Sequence, residues 1–187
     1  MDFKSLSQAI LKEHEAVFER LDENNFRAFI ELLKKHDRIF SIGVGREGLA
    51  TKALAMRLMH MGKESYWIWD DTTPGFRKGD LLVATLGDGQ IGHINYVCER
   101  AKEHGAYLCV VTGSPSGHTA KNLADQVLFL PASVYRGVDD VVASIQPMGN
   151  LFEQCLFILF DMAVMLIVDQ TPVLSFEKMA ARHRNIE

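Results

Sequence analysis

Apolar residues recur at helical spacing through the first 36 residues. Ala9, Ile10, Val17, Phe18 and Leu21 share one face, and past Asp22-Glu23-Asn24 the pattern resumes with Phe26, Phe29, Ile30 and Leu33. This spacing predicts two helices with charged outer faces. The period then changes. Residues 38–42 (Arg-Ile-Phe-Ser-Ile) read as a short strand running into Gly43, and residues 49–61 return to a helical pattern of Ala, Leu and Met. A second strand at 65–69 is closed by turn residues 71–75, and a third at 80–85 leads into a glycine-rich turn. A helix over 91–104 ends where Gly105 is placed to cap it. Strand four follows at 106–112, a short helix at 119–124 and strand five at 126–130. Residues 131–147 form the longest non-periodic stretch, and long loops in compact α/β domains tend to be functional.

Strands that alternate with helices and are apolar on both faces predict a parallel sheet covered on both sides, a doubly wound α/β fold. The expected organisation is one domain over 1–187: a helix pair at 1–36, an α/β core with its long loop at 37–147, and an apolar helix with a tail at 148–187. Residues 151–168 are almost long and apolar enough to span a membrane. Their polar members Glu153, Gln154 and Asp161 fall within about 100° of one another on a helical wheel. A membrane span would not keep such a stripe without a partner or a pore. The run therefore reads as a core helix facing a polar cleft, with no membrane role.

Composition narrows the classes further. The 187 residues are 48% hydrophobic and 24% charged, the balance of a globular chain with a substantial core. Mean hydropathy is only +0.01. Twenty basic and twenty-four acidic side chains give a net charge of −4 without a basic block, so no nucleic-acid partner is expected. Cys98, Cys109 and Cys155 have no CxxC or metal-like pairing with histidine, and the latter two sit in apolar runs as small core hydrophobes. The N-terminus lacks a signal-peptide layout, which makes a cytoplasmic location the expectation.

Candidate chemistry lies in the turns. Strand one runs into Gly43-Val44-Gly45-Arg46-Glu47-Gly48, a GxGxxG at a helix start, and Asp70 follows strand two where a ribose-binding acid would lie. This spacing invites an NAD reading. Three points count against it: little chain is left for a substrate domain, Glu47 places a negative charge where a pyrophosphate would rest, and a second turn, Gly87-Asp88-Gly89, suggests one ligand gripped from two loops. The third turn, Thr112-Gly113-Ser114-Pro115, ends strand four in the same way. Ligands of open parallel sheets bind at the carboxyl ends of strands, so all three turns should line one mouth.

Residues 43–62 (GVGREGLATKALAMRLMHMG), 78–83 (KGDLLV) and 146–153 (QPMGNLFE), with the ending 182–187, together resemble the sugar isomerase (SIS) domain. Within it they are most similar to the 6-phospho-3-hexuloisomerase group, over essentially the whole chain. The resemblance implies a flavodoxin-like, five-stranded parallel sheet between helices, a homotetramer or homodimer, and no nucleotide cofactor. It also implies a carbohydrate or sugar-phosphate ligand and 3-ketose/2-ketose interconversion. Glu153 is then the expected base, because moving a carbonyl between neighbouring carbons passes through an enediol and needs a proton shuttle. Read from spacing alone, Asn150-x-x-Glu153 could equally be a capping box. His60 and His183 fall in matched segments and suit transfer of a hydroxyl proton, His183 from a tail able to reach a neighbouring subunit.

The phosphate-binding turns depart from that group's pattern. Where its members carry a GxGRSG turn and a Ser-Gly-Ser-Gly-x-Thr cradle, this chain has Glu47 and then Leu86, Asp88 and Ile91. Four hydroxyls are gone and two carboxylates have arrived. Like charges at 4 Å cost roughly 4 kcal/mol at an effective dielectric of 20, about a thousandfold in affinity. Arg46, the backbone amides of Gly87, Gly89 and Gln90, Gly45, Ser114 and Arg136 remain as candidate ligand contacts. Glu47 and Asp88 join them as groups suited to the hydroxyls of a free polyol, an amino-sugar cation or a metal bridging the sugar, unless Glu47 only stabilises its helix start and Asp88 only makes an Asp-Gly turn. The ligand is bound in another pose, or it is not a phosphate ester. A sugar-binding module that has lost catalysis is the alternative reading.

Overall fold

The structure is a computed structural model that describes residues 2–136 and 139–186. Glu187 of the C-terminal motif and two residues of the long loop lie outside the described residues. In chain order the elements are α1 (Phe3–Glu19), α2 (Glu23–Lys35), β1 (Arg38–Ile42), α3 (Gly45–His60), β2 (Glu64–Trp67), β3 (Leu81–Thr85), α4 (Gly92–Glu103), β4 (Tyr107–Thr112), α5 (His118–Asn122), β5 (Gln126–Phe129), α6 (Asn150–Gln170) and α7 (Phe176–Ala181). The strands pair in the order β2-β1-β3-β4-β5, all in parallel. This is the expected doubly wound α/β sheet.

Alternation along the strands divides the core in two. Ile39, Leu81, Val83, Cys109, Val111 and Leu128 point to one face, where α1, α2, α3, α6 and α7 cover them. Phe40, Ile42, Leu82, Ala84, Leu108 and Val110 point to the other, under α4 and α5. β3 is buried throughout, as expected of a central strand with helices on both faces. All three cysteines are buried and unbridged, and burial pushes each thiol up to about 12, so they act as core hydrophobes.

Helix α6 is the one described helix long and apolar enough to cross a membrane. Here Leu151, Phe152, Cys155, Leu156, Leu159, Phe160, Ala163, Val164 and Ile167 are buried against the protein. Its opposite side leaves Phe157, Ile158, Met162, Met165 and Leu166 partly exposed.

Two glycines fix the entry to the site. An added Cβ on Gly48 would lie 2.9 Å from the backbone carbonyl of Gly43, so α3 approaches the end of β1 closely. Beneath this contact the hydroxyls of Thr51 and Thr85 meet at 2.8 Å, joining α3 to β3. The helix begins at Gly45, four residues before the first apolar repeat at Leu49. Substituting Gly48 with Ala should lower unfolding stability by about 1–3 kcal/mol, the usual cost of overpacking against unyielding backbone. Urea denaturation checks this, and an unchanged midpoint would show that α3 can retreat without penalty.

Candidate active site

The β1, β3 and β4 turns meet at the carboxyl edge of the sheet, and the first turn of α3 brings Arg46 and Glu47 there. Glu47 reaches across to the next turn, where its Oε2 accepts the Gly87 amide at 2.8 Å. Arg46 turns the other way and donates through Nε to Oε2 of Glu153 at 2.6 Å.

Glu153 is delivered by the QPMG segment. Gln146 Nε2, the Ile145 amide and Ser144 Oγ all donate to the carboxylate of Glu13 on α1, at 3.0, 2.7 and 2.7 Å. Burial alone would raise the pKa of Glu13, but these hydrogen bonds together hold it below the ordinary glutamate value. Met148 (φ 57°) and Gly149 (φ 80°) then adopt left-handed conformations that swing the chain into α6. Gly149 is the N-cap and no side chain caps the helix, so the capping-box reading of Asn150 and Glu153 does not hold. The Glu153 carboxylate is engaged by Arg46 instead, and sits in the first turn of α6.

Glu47, Gly87, Asp88, Phe152 and Glu153, with Val134 of the long loop, line a small cavity of about 160 Å³. Three carboxylates thus share one hollow. Burial, with the nearby charges of Asp88 and Glu153, pushes Glu47 up to about 8 against the opposing effect of the Gly87 amide. At neutral pH Glu47 is therefore mostly a neutral acid, able to accept the Gly87 N–H and donate its own proton elsewhere.

His60 and His183 belong to a second cavity of about 440 Å³, shared with Arg57, Asp161 and residues of α6 and α7. Their ring centroids lie 5.2 Å apart, the planes tilted by 33°. Arg182 holds this tail in place: it donates to the His60 carbonyl at 3.3 Å and lies over Gly62. Burial first, and then the charges of Arg57 and His183, lower the pKa of His60 below the ordinary imidazole value. The polar stripe of α6 is accordingly divided. Glu153 lines the first cavity and Asp161 the second, eight residues and about 12 Å along the helix.

The remaining candidates scatter around the mouth. The Gly89 amide donates to the Leu86 carbonyl at 3.2 Å, and that of Gln90 to Asp88 Oδ1 at 3.1 Å. Gly45 (φ 55°) opens α3 without touching the cavity, and Ser114 hydrogen-bonds Asp139 rather than lining it. Arg136 lies over the Tyr135 ring at 5.1 Å, outside the cavity lining. Asp70 pairs with Lys52 at 3.7 Å, outside the cavity lining. Sequence reasoning missed Phe152, Val134, Tyr135 and Met148 as lining residues, for which only the tight Gly149 turn gave a signal.

No family model matches the chain. Curated relatives do. It is 34% identical over 188 residues to a 3-hexulose-6-phosphate isomerase of Bacillus subtilis, covering 95% of this chain and 100% of that protein. A protein of the same name from Mycobacterium gastri is 33% identical, covering 90% and 83%. Among solved structures, a Methanococcus jannaschii protein whose crystal structure infers 3-hexulose-6-phosphate isomerase function superposes with TM-score 0.83 at 26% identity, covering 98% and 99%. The chain belongs to the SIS-domain sugar-phosphate isomerase family.

The acidity of Glu47 gives a pH signature. Its native value is raised above that of the unfolded chain, so the native state retains a proton that the unfolded state has lost. The associated stability is fully present below about 4.5 and is lost as pH rises through about 8. Glu47→Gln keeps the acceptor for Gly87 and should remove this dependence. Urea midpoints between about pH 5 and pH 9 should fall more steeply in the unaltered protein than in the variant; parallel profiles would mean that Glu47 ionises normally.

Proposed function

We propose that the chain is a ketose isomerase interconverting 3-keto and 2-keto sugars, with Glu153 as the proton-transferring base. The observation that carries this reading is Glu153 itself, which lines the cavity at the carboxyl edge of the sheet within the QPMGNLFE segment. The comparisons support it at the level of class, through relatives named as 3-hexulose-6-phosphate isomerases.

The chemistry is a balanced internal shift. A carboxylate removes the proton from C2 of the 3-ketose while the C3 carbonyl oxygen gains one, giving the enediol. The C2 hydroxyl then loses its proton, the carbonyl re-forms at C2, and the base returns its proton to C3. Arg46 holds the Glu153 carboxylate in place and must yield Oε2, or leave Oε1, for this work. The hydroxyl protons need a second group. His60, held largely neutral by burial, can accept and donate near neutral pH.

Within one chain His60 and Glu153 line separate cavities. We therefore assign the two to one site formed by two copies of the chain, His60 and His183 coming from the neighbour. The half-exposed apolar row of α6, Phe157 to Leu166, is a surface on which such copies would associate. A second reading, a sugar-binding module without turnover, draws on one observation: the Arg46–Glu153 pair engages the base as a counter-ion.

Solvent deuterium should enter carbon-bound positions of a ketose substrate, followed by NMR, and Glu153→Gln should reduce exchange by at least about a hundredfold. Persistence of exchange in that variant would exclude Glu153 as the base, and binding without exchange would favour the module. Co-expressing Glu153→Gln with His60→Gln chains should restore up to about a quarter of the activity in a two-fold pair, since half the pairs are mixed and each holds one intact site. No recovery above either variant alone would place both residues' work within one chain.

A further inference from the structure

We propose that this site takes an unphosphorylated ketose, and that Glu47 and Asp88 read a hydroxyl group where phosphate-binding members of the family hold phosphate. The inference rests on the isomerase reading and names its substrate class.

The β3–α4 turn is the argument. A phosphate cradle works by presenting unsatisfied backbone amides to an anion. Here each of the three candidate amides has an acceptor of its own. Gly87 N–H is held by Glu47 Oε2 at 2.8 Å, Gly89 N–H by the Leu86 carbonyl at 3.2 Å, and Gln90 N–H by Asp88 Oδ1 at 3.1 Å. Two of the three acceptors are carboxylates of this chain, standing where an external anion would have to bind. Gly87 leaves little slack, since an added Cβ would lie 3.4 Å from Glu47 Oε2 and 3.3 Å from Val134.

Charge points the same way. The part of the site that holds the ligand turn, within one chain, is lined by Glu47, Asp88 and Glu153 and by no lysine or arginine. The nearby guanidinium, Arg46, is paired with Glu153 at 2.6 Å. The helix that follows the turn is capped by Ile91, which supplies no side-chain hydrogen bond, so the hydroxyl expected there is absent. A dianion entering this hollow would meet the charge of Asp88 and displace both Asp88 and the mostly neutral Glu47 from their amides. A hydroxyl meets neither obstacle. It donates to a carboxylate oxygen not used by the turn, or accepts from Glu47 in its neutral form, and leaves the turn intact.

The test compares free 2-ketohexoses, their 6-phosphates and inorganic phosphate, by thermal shift and by deuterium exchange followed with NMR. For the unaltered protein the free ketoses should raise Tm and exchange at least about tenfold faster in kcat/KM than the 6-phosphates, with inorganic phosphate giving no shift. Glu47→Ser with Asp88→Ser should raise the response to the 6-phosphates by about a hundredfold or more, since removing one like charge at contact distance is worth up to about a thousandfold. Should that pair fail to fold, Glu47→Gln with Asp88→Asn keeps the shapes of both side chains and should move the preference in the same direction. A preference of the unaltered protein for 6-phosphates, or no effect of any free ketose on Tm, overturns the proposal. Absence of exchange with every sugar, despite a Tm preference for free ketoses, overturns the isomerase reading and leaves this one standing.

Discussion

The contact between Gly43 and Gly48 sets how near α3 lies to the end of β1, and most of the site follows from that distance. Two side chains in this place would push the helix outward. Without them, Thr51 meets Thr85 across the gap and the first turn of α3 stands beside the turn after β3. From there a glutamate is long enough to reach the Gly87 amide, and an arginine one residue earlier reaches the start of α6. Packing without side chains thus brings together polar groups from three separate segments of the chain.

The fold was largely legible in the sequence because its signals are local. Change of period marked the strands, and the apolar runs of β1, β3 and β4 marked strands buried on both faces. Edges blurred where the local signal was weak. α3 begins before its apolar repeat because Gly45 can take a positive φ and needs no core contact. β2 stops at Trp67, short of the expected Trp69, where the chain turns back through the Asp70 and Thr73 amides.

The site was legible only in part. Glu47, Gly87 and Asp88 of the first two turns do come together, with Glu153 beside them, but no residue of the third turn lines the cavity. The wheel of α6 was misleading in a specific way: angle around a helix says nothing of position along it, so residues sharing a stripe were two turns apart and serve different cavities. The capping-box spacing misled for another reason. Its register depends on which residue is the N-cap, and the left-handed turn at Met148 and Gly149 moved that role off Asn150. Long-range partners such as Glu13 with Gln146 have no sequence signature in a single chain. The family's segments carry the scaffold faithfully, while the residues that differ, Glu47 and Asp88, are the ones that occupy the amides of the ligand turn.

The anchoring of the long loop on Glu13 reaches beyond the site it shapes. α1 is surface-lying and mostly polar, with Val17 its single fully buried residue, and by itself resembles a dispensable N-terminal extension. Yet one of its carboxylates gathers the segment that sets the entry angle of α6, more than a hundred residues later. Changes in this helix would therefore travel to the reaction centre as changes of geometry, with no altered contact to the ligand. The N-terminal helix is in that sense a lever on the start of α6, acting through three hydrogen bonds to one carboxylate.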